Sequence, residues 1–175
     1  MHKRLSNNYY FINKFDTKNI GKLGKNTGII FRNYNSEINI KSIIVLKNFC
    51  KKNGYKFFIS NNIKLALKLK LDGVYIPSFN KDTKHLSYSF TKNFMILGSA
   101  HNYKEIRIKQ KQLVKIVFLS SIFKKNKNYL GVNKFKLLSK LTYLNVIALG
   151  GVSNLNFRQL KLLDCCGFAG ISYFE

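Results

Sequence analysis

A glycine turn near the end of the chain has the residue types that hold a phosphate group. It follows the apolar run Val146–Leu149, where Gly150 and Gly151 permit a sharp turn and let a ligand come close to the backbone. Ser153 or Asn154 can cap a following helix, whose first free N–H groups would suit an anion.

A second turn, in the segment Gly167–Ser172, repeats this pattern with Gly170 and Ser172 at its end. Two adjacent strand ends of this kind form the usual phosphate-binding site of barrels built from alternating strands and helices. The alternative is that both segments are ordinary turns between a strand and a helix.

Arg32 and His101 are the obvious charge and proton carriers that follow apolar runs. Arginine can bind a phosphate through two parallel hydrogen bonds, and histidine is the usual acid or base near neutral pH. Each also has a purely structural interpretation. Arg32 could form a salt bridge, and His101 could hydrogen-bond its own loop at the start of a helix that reaches Glu105.

Eight short apolar runs, separated by segments with helical spacing, predict a parallel sheet. The runs are Tyr9–Ile12, Thr27–Arg32, Lys56–Ile59, Gly73–Ile76, Phe94–Leu97, Lys115–Leu119, Val146–Leu149 and Phe168–Ser172. Eight such units favour a closed (β/α)8 barrel, and an open doubly wound sheet is the alternative. Close spacing requires short helices, notably near Thr17–Leu23 and Thr83–Thr91, and we expect no helix after the last strand.

In such barrels the working residues lie at the carboxyl ends of the strands. This rule selects uncharged polar side chains beside Arg32, His101 and the glycines. They are Asn13, Ser60, Asn61, Tyr75, Ser78, Ser99, Ser120 and Ser121.

Composition limits the other functions that the chain could have. Its 175 residues suit a single domain, residues 1–175, without a membrane span or signal sequence, so we expect a cytoplasmic protein. The net charge of +24 comes mainly from 27 scattered lysines among 31 basic residues, in a chain rich in residues with A/T-rich codons. Genome composition therefore explains the charge, and nucleic-acid binding is not expected as the main role.

Acidic residues and cysteines are too few and too far apart for several kinds of site. The seven carboxylates form no close pair in sequence for acid–base catalysis or a hard metal ion. The three cysteines, Cys50, Cys165 and Cys166, fit neither a zinc site nor a disulfide framework. We expect buried, reduced thiols and no metal site.

The order of these motifs resembles the thiamine phosphate synthase and thiazole tautomerase (TenI) family along nearly the whole chain. The segments that carry the resemblance are Tyr9–Ile12, Ile29–Arg32, Phe58–Ala66, Leu71–Ile76, Leu97–His101 with Glu105, Ser121–Phe123 with Gly131, Leu149–Val152 and Gly167–Ser172. The most specific match is Phe58–Ala66 followed by Leu71–Ile76, where the family has an asparagine–aspartate pair, a helix, and an aspartate-glycine-valine-histidine strand.

The resemblance implies two activities with different needs for metal. The synthase joins a pyrimidine diphosphate to a thiazole phosphate with magnesium, whereas the tautomerase moves a proton on the thiazole ligand without metal. The two magnesium aspartates of the synthase fall on Asn61 and Asn80, and an amide brings no negative charge to a divalent cation. Asp82 could replace one of them after a loop shift. Two further family residues also differ: the glutamine of the second strand is Ile30 here, and the lysine two residues after Arg32 is Tyr34.

In the loop after the sixth strand, Lys125 and Lys127 keep positive charge without the family's threonine and lysine pattern. Three hypotheses follow. The first is a metal-independent, tautomerase-like protein with His101 as proton carrier. The second is a divergent synthase with an altered pyrophosphate site, where lysines replace part of the magnesium charge and which alone of the three could use magnesium. The third is a non-catalytic module that binds a phosphorylated ligand.

The predicted ligands are a thiazole phosphate and, for a synthase, a pyrimidine diphosphate. The predicted substrate contacts are Arg32, Ser60, Asn61, Ser99, Lys125, Lys127, Gly150, Gly151, Gly170 and Ser172. The sequence leaves the oligomeric state open, including a homo-oligomer.

Overall fold

Eight parallel strands form a closed barrel, in which each strand pairs with the next and the last pairs with the first. The structure, a computed structural model, describes residues 7–21, 23–34, 39–171 and 173–174. The strands are β1 (Asn7–Ile12), β2 (Gly28–Phe31), β3 (Lys56–Ser60), β4 (Gly73–Ile76), β5 (Met95–Ala100), β6 (Ile116–Ser120), β7 (Asn145–Leu149) and β8 (Gly167–Gly170). The predicted (β/α)8 barrel is thus confirmed, and the open sheet is wrong.

Helices of very different length connect the strands. They are α1 (Thr17–Ile20), α2 (Ile40–Asn53), α3 (Ile63–Lys68), α4 (Tyr103–Lys111), α5 (Gly131–Lys140) and α6 (Phe157–Leu160). Between β4 and β5 the chain forms only a 3-10 turn, Lys84–Ser87, inside the segment where a short helix was expected. The described residues after β8 form a turn and contain no helix.

Local sequence explains where the longest helix begins and ends. The side chain of Asn39 accepts hydrogen bonds from the backbone N–H groups of Lys41 and Ser42, at 3.0 and 3.4 Å, and so caps α2. Gly54 ends this helix in a left-handed conformation with φ 72°, which glycine adopts without steric cost.

Aromatic rings fill the interior of the barrel. Phe118 of β6 is completely buried and lies edge-on to three other rings, with centroids 4.9 Å from Tyr9, 5.9 Å from Phe11 and 5.5 Å from Tyr75. Gly28 makes room for this cluster, because a Cβ atom at this position would overlap the ring of Tyr9. Close packing of large rings lets eight short strands enclose a solid core.

An aromatic cluster covers the outside of the seam between β8 and β1. Phe174 contacts Tyr10 of β1 and Phe168 of β8, with ring centroids 5.5 and 5.7 Å apart. Tyr173 also packs on Phe168, at 4.5 Å. This short turn therefore buries the apolar surface that a helix after β8 would cover in a longer barrel.

Among the described residues, no helix combines the length and the apolarity that crossing a membrane requires. Expected placement of the protein in the cytoplasm stays a prediction.

Removing the central ring should destabilise the barrel. We expect Phe118→Ala to lower the free energy of unfolding by about 3–5 kcal/mol, because it leaves a cavity among packed rings. Phe79→Ala is the matched control, since the Phe79 side chain is 63% exposed, and it should cost about 1 kcal/mol or less. Urea unfolding measures both, and equal losses would contradict this account of the core.

Candidate active site at the barrel mouth

The strand ends at the mouth surround a cavity of about 340 Å³. Its walls come from β1 and β2, the loop after β6, the turn after β7 and the end of β8. The lining residues are Phe11, Arg32, Ser120, Ser121, Lys124, Asn126, Leu149, Gly150, Gly151, Val152, Gly170 and Ile171. A second cavity of about 480 Å³ lies beside α1 and shares Phe11, Arg32 and Ile171 with the first.

The structure brings four of the predicted contacts, Arg32, Gly150, Gly151 and Gly170, around the smaller cavity. Ser172, the fifth residue predicted for this end of the mouth, lies outside the described residues.

Packing alone requires glycine at positions 150 and 151. Both have positive φ, 102° and 77°, and both lie under the loop after β6. A Cβ atom on Gly150 would lie 2.9 Å from the Cα of Ser121, and one on Gly151 would lie 2.6 Å from the backbone nitrogen of Lys124. Larger residues would therefore push this loop away from the mouth.

The backbone N–H groups of two successive residues in the cavity wall are the candidate donors to an anion. Within the described part of the chain, the amides of Gly151 and Val152 have no hydrogen-bond acceptor, and both residues line the cavity. Unpaired backbone donors at successive residues form a concave site for anions.

The predicted helix cap at Ser153 or Asn154 is wrong. Helix α6 begins only at Phe157 and has four residues, so its dipole does not reach the glycine turn. Asn156 instead holds the turn closed: its side chain accepts from the N–H of Ser153 at 3.0 Å and donates to the carbonyl of Gly151 at 2.7 Å.

Arg32 lies between the two cavities. Its guanidinium stands over the ring of Phe11, 5.1 Å from the centroid, and its backbone N–H donates to the carbonyl of Ile12 at 2.7 Å. No carboxylate among the described residues pairs with it, so the salt-bridge interpretation finds no support there.

The loop after β6 contributes a different lysine from those predicted. Lys124 and Asn126 line the cavity, whereas Lys125 and Lys127 are exposed and do not line it. The loop folds through bends and turns, so which of its three lysines faces the cavity cannot be deduced from their order in the sequence. Lys125 and Lys127 still place positive charge beside the cavity.

His101 follows β5 directly and is held in one tautomer by its neighbours. Nδ1 lies 2.8 Å from the carbonyl oxygen of Ser120, and because a carbonyl only accepts, Nδ1 carries the hydrogen. Nε2 is then the acceptor, 3.1 Å from Oγ of Ser78 and 3.4 Å from the amide nitrogen of Asn128. His101 itself lies outside the cavity wall, but its partner Ser120 lines the cavity.

The predicted hydrogen bond of His101 within its own loop is formed by its backbone and not by its ring. The N–H of His101 donates to Oε2 of Glu105 at 2.7 Å, while Asn102 and Glu105 cap α4 reciprocally. The ring, by contrast, bonds residues of two other loops. The contact with Asn128 was not anticipated, since nothing in the sequence around position 128 points to a residue 27 positions earlier.

Asn61 and Asn80, on the opposite side of the mouth, bind each other. Nδ2 of Asn80 donates to Oδ1 of Asn61 at 2.6 Å. The carboxylate of Asp82 instead bonds within its own loop: Oδ1 accepts from the N–H of Lys84 at 2.8 Å, and Oδ2 lies 3.8 Å from the ammonium of Lys84.

These residues do not fit the magnesium ion that the resemblance places at positions 61 and 80. Two amides that satisfy each other provide no negative charge, and hard divalent cations select carboxylate oxygens. Among the residues that the structure describes, no three His, Cys, Asp or Glu side chains lie close enough together to hold a metal ion.

The hydroxyl groups of Ser60 and Ser99 each form a hydrogen bond with a tyrosine hydroxyl. Oγ of Ser60 lies 2.7 Å from the hydroxyl of Tyr34, whose ring packs edge-on against Phe79. Burial raises the pKa of Tyr34, and the Ser60 hydrogen bond and the Arg32 charge act in the opposite direction. Ser99 bonds the hydroxyl of buried Tyr75. Neither serine lines the two cavities.

Comparison with known proteins places the chain among thiamine biosynthetic proteins. A family model described as thiamine monophosphate synthase matches residues 22–174. The chain is 30% identical over 135 residues to a thiamine-phosphate synthase of Prochlorococcus marinus subsp. pastoris, covering 75% of this chain and 38% of that protein. It is 25% identical over 120 residues to a thiamine-phosphate synthase of Methanococcus vannielii, covering 66% and 56%. The chain thus spans about half the length, or less, of these two relatives.

Solved structures share the fold. A thiamine phosphate pyrophosphorylase from Pyrococcus furiosus superimposes with a TM-score of 0.76 at 15% identity, covering 98% of this chain and 87% of that one. At this identity the similarity establishes the barrel architecture alone.

The glycine turn can be tested without a ligand. We expect Gly151→Ala to lower the free energy of unfolding by about 1–3 kcal/mol, because alanine is strained at positive φ and its Cβ would meet the backbone of Lys124. In Gly24→Ala, the matched control, the added methyl group meets no atom within 4 Å. Urea unfolding distinguishes them, and an unchanged Gly151→Ala would show that the loop packs elsewhere.

Proposed function

Because the chain belongs to the thiamine monophosphate synthase family, we propose that it binds a thiazole phosphate at the barrel mouth and moves a proton on this ligand without a metal ion. The observation that carries the proposal is the contrast between the two sides of the mouth. One side keeps donors for a phosphate, while the positions of the metal ligands hold the Asn61–Asn80 amide pair.

The phosphate would bind in the cavity of about 340 Å³, against the N–H groups of Gly151 and Val152, for which the described residues provide no acceptor. Arg32 and Lys124 supply positive charge from opposite walls. Backbone donors fix the position of the phosphate, and a guanidinium adds directional, charge-assisted hydrogen bonds. This combination recognises a phosphate monoester and leaves the ring of the ligand directed towards the rest of the mouth.

His101 would carry the proton at Nε2. The imidazole takes a proton from one atom of the ligand and returns it to another, so the ligand is isomerised and the enzyme is unchanged. While Nε2 holds the proton, the carbonyl of Ser120 stabilises the imidazolium through Nδ1–H. The hydroxyl of Ser78 donates to Nε2 before this step and can rotate to accept after it, since a hydroxyl does both.

A divergent thiamine phosphate synthase is the second candidate. Relatives named thiamine-phosphate synthase favour it, as does the positive charge of Lys124, Lys125 and Lys127 beside the cavity, which could neutralise part of a diphosphate. A module that binds a thiazole phosphate without turnover is the remaining alternative.

The decisive experiment offers the purified chain a thiazole phosphate carboxylate alone, and separately the pair of synthase substrates, with magnesium or with a chelator. We expect proton transfer at the same rate in both conditions, because no residue proposed for this step binds a metal. Thiamine phosphate formation that requires magnesium would instead establish the synthase. Binding without any turnover would establish the module, and no binding would overturn all three.

A gain-of-function control tests the amide pair directly. Asn61→Asp combined with Asn80→Asp restores two carboxylates at hydrogen-bond distance, and we expect Mn²⁺ binding, detected by electron paramagnetic resonance, only in this double variant. Equal Mn²⁺ binding by the unmodified chain would contradict the loss of the metal site.

Replacing the proposed proton carrier should separate turnover from binding. We expect His101→Asn to lower the turnover of the thiazole ligand by about 100-fold or more, the usual contribution of a general acid or base. Binding measured by calorimetry should change little, because His101 does not line the phosphate cavity. Turnover that survives in this variant would remove His101 from the mechanism.

A further inference from the structure

A buried lysine lies outside the site described above. Lys109 of α4 is completely buried, and its ammonium group donates three hydrogen bonds of 2.8 Å. The acceptors are the backbone carbonyls of Pro77 and Asn80 and Oε1 of Gln112. All three ammonium hydrogens are therefore used, two of them on the loop that follows β4.

Gln112 reinforces the same loop. Its Nε2 donates to the backbone carbonyls of Asn80 and Asp82, at 3.1 and 2.8 Å, and the backbone carbonyl oxygen of Gln112 lies 2.9 Å from Nε2 of buried His85. Lys109 and Gln112 thus join the end of α4 to residues 77–85 through a continuous buried network. Such networks specify one conformation when every member has a partner.

The fold makes room for this lysine at Gly98 of β5. A Cβ atom there would lie 2.9 Å from Cδ of Lys109 and 3.0 Å from Cγ2 of Val114. Burial lowers the pKa of Lys109 to about 8, with the nearby Glu105 carboxylate acting in the opposite direction. Burying a lysine costs free energy unless its hydrogen bonds are made, which is the case here.

We propose that Lys109 is a positioning residue for the barrel mouth, because it holds the loop of residues 77–82 in the conformation that presents Ser78 to His101 and Asn80 to Asn61. Helix α4 then fixes both members of the Ser78–His101 pair. Glu105 binds the backbone of His101, and Lys109, one turn later, binds the loop of Ser78. The position of the loop is independent of the proposed function, and only its effect on proton transfer rests on that function.

The test compares Lys109→Met with Lys111→Met, the same change at an exposed lysine of the same helix. Hydrogen exchange, followed by mass spectrometry on the full chain, reports on residues 77–82. We expect exchange there to become at least about tenfold faster in Lys109→Met only, since hydrogen bonds from a charged donor are lost. We also expect the NMR signals of the His101 ring to move. A folded Lys109→Met chain with unchanged exchange and unchanged signals would overturn the proposal.

A milder variant covers the case in which Lys109→Met does not fold. Gly98→Ala removes no hydrogen-bonding group but displaces the lysine side chain, so we expect the same faster exchange in residues 77–82. Unchanged exchange in folded Gly98→Ala would contradict the proposal.

Turnover is a separate readout that distinguishes the two proposals. If proton transfer by His101 is correct, Lys109→Met should lower kcat by about 100-fold, as misplaced catalytic groups do, with KM nearly unchanged. Faster exchange in a protein that turns over no thiazole ligand, before or after mutation, would support positioning by Lys109 while refuting the function.

Discussion

A closed barrel can exist only if its interior is filled, and in this chain Phe118 and the rings around it do so. Eight strands of four to six residues leave little length for several layers of side chains, so large rings replace numerous small ones. Gly28 provides the space that these rings need, because the rings of Tyr9 and Phe58 on the neighbouring strands lie where a Cβ atom would be. This packing fixes the ends of the strands and therefore the points from which the loops start. The geometry of the barrel mouth thus depends on the packing of the core.

The mouth built on this core has two unlike sides. Around Gly151 lie backbone N–H groups that have no acceptor among the described residues, together with the cationic side chains of Arg32 and Lys124. Around Asn61 and Asn80 the polar groups satisfy one another, and an aromatic pair, Tyr34 and Phe79, lies next to them. His101 lies between these sides, with one nitrogen committed to a carbonyl and the other accepting from hydroxyl and amide groups. The division of roles therefore follows from hydrogen-bond partners rather than from charge alone.

Sequence reasoning could identify the strands because each is an apolar run, buried on both faces. It placed the end of β5 at Leu97, three residues early, because Gly98 and Ser99 are buried without being strongly apolar. Chain order was enough to bring Arg32, Gly150, Gly151 and Gly170 to one cavity, but Ser60 and Ser99 do not line it. The contact of Asn128 with His101 and the choice of Lys124 over its neighbours depend on how loops fold over the mouth. Lys109 looks like any lysine of a surface helix, and its burial depends on Gly98 in another element.

The aromatic turn of Tyr173 and Phe174 has a consequence for how the barrel closes during folding. Neighbouring strands elsewhere in the barrel come from nearby parts of the chain, whereas β1 and β8 pair Asn7 with Gly167, across almost the full length. The entropy cost of closing such a large loop grows only logarithmically with its length. This entropy is nevertheless lost before the contacts between the two strands can stabilise the closed barrel. Packing of the Phe174 ring on Phe168 and Tyr10 stabilises the pairing of β8 with β1 at this position. Barrel closure thus becomes the most non-local step of folding, and it is stabilised by ring contacts of the turn that directly follows β8.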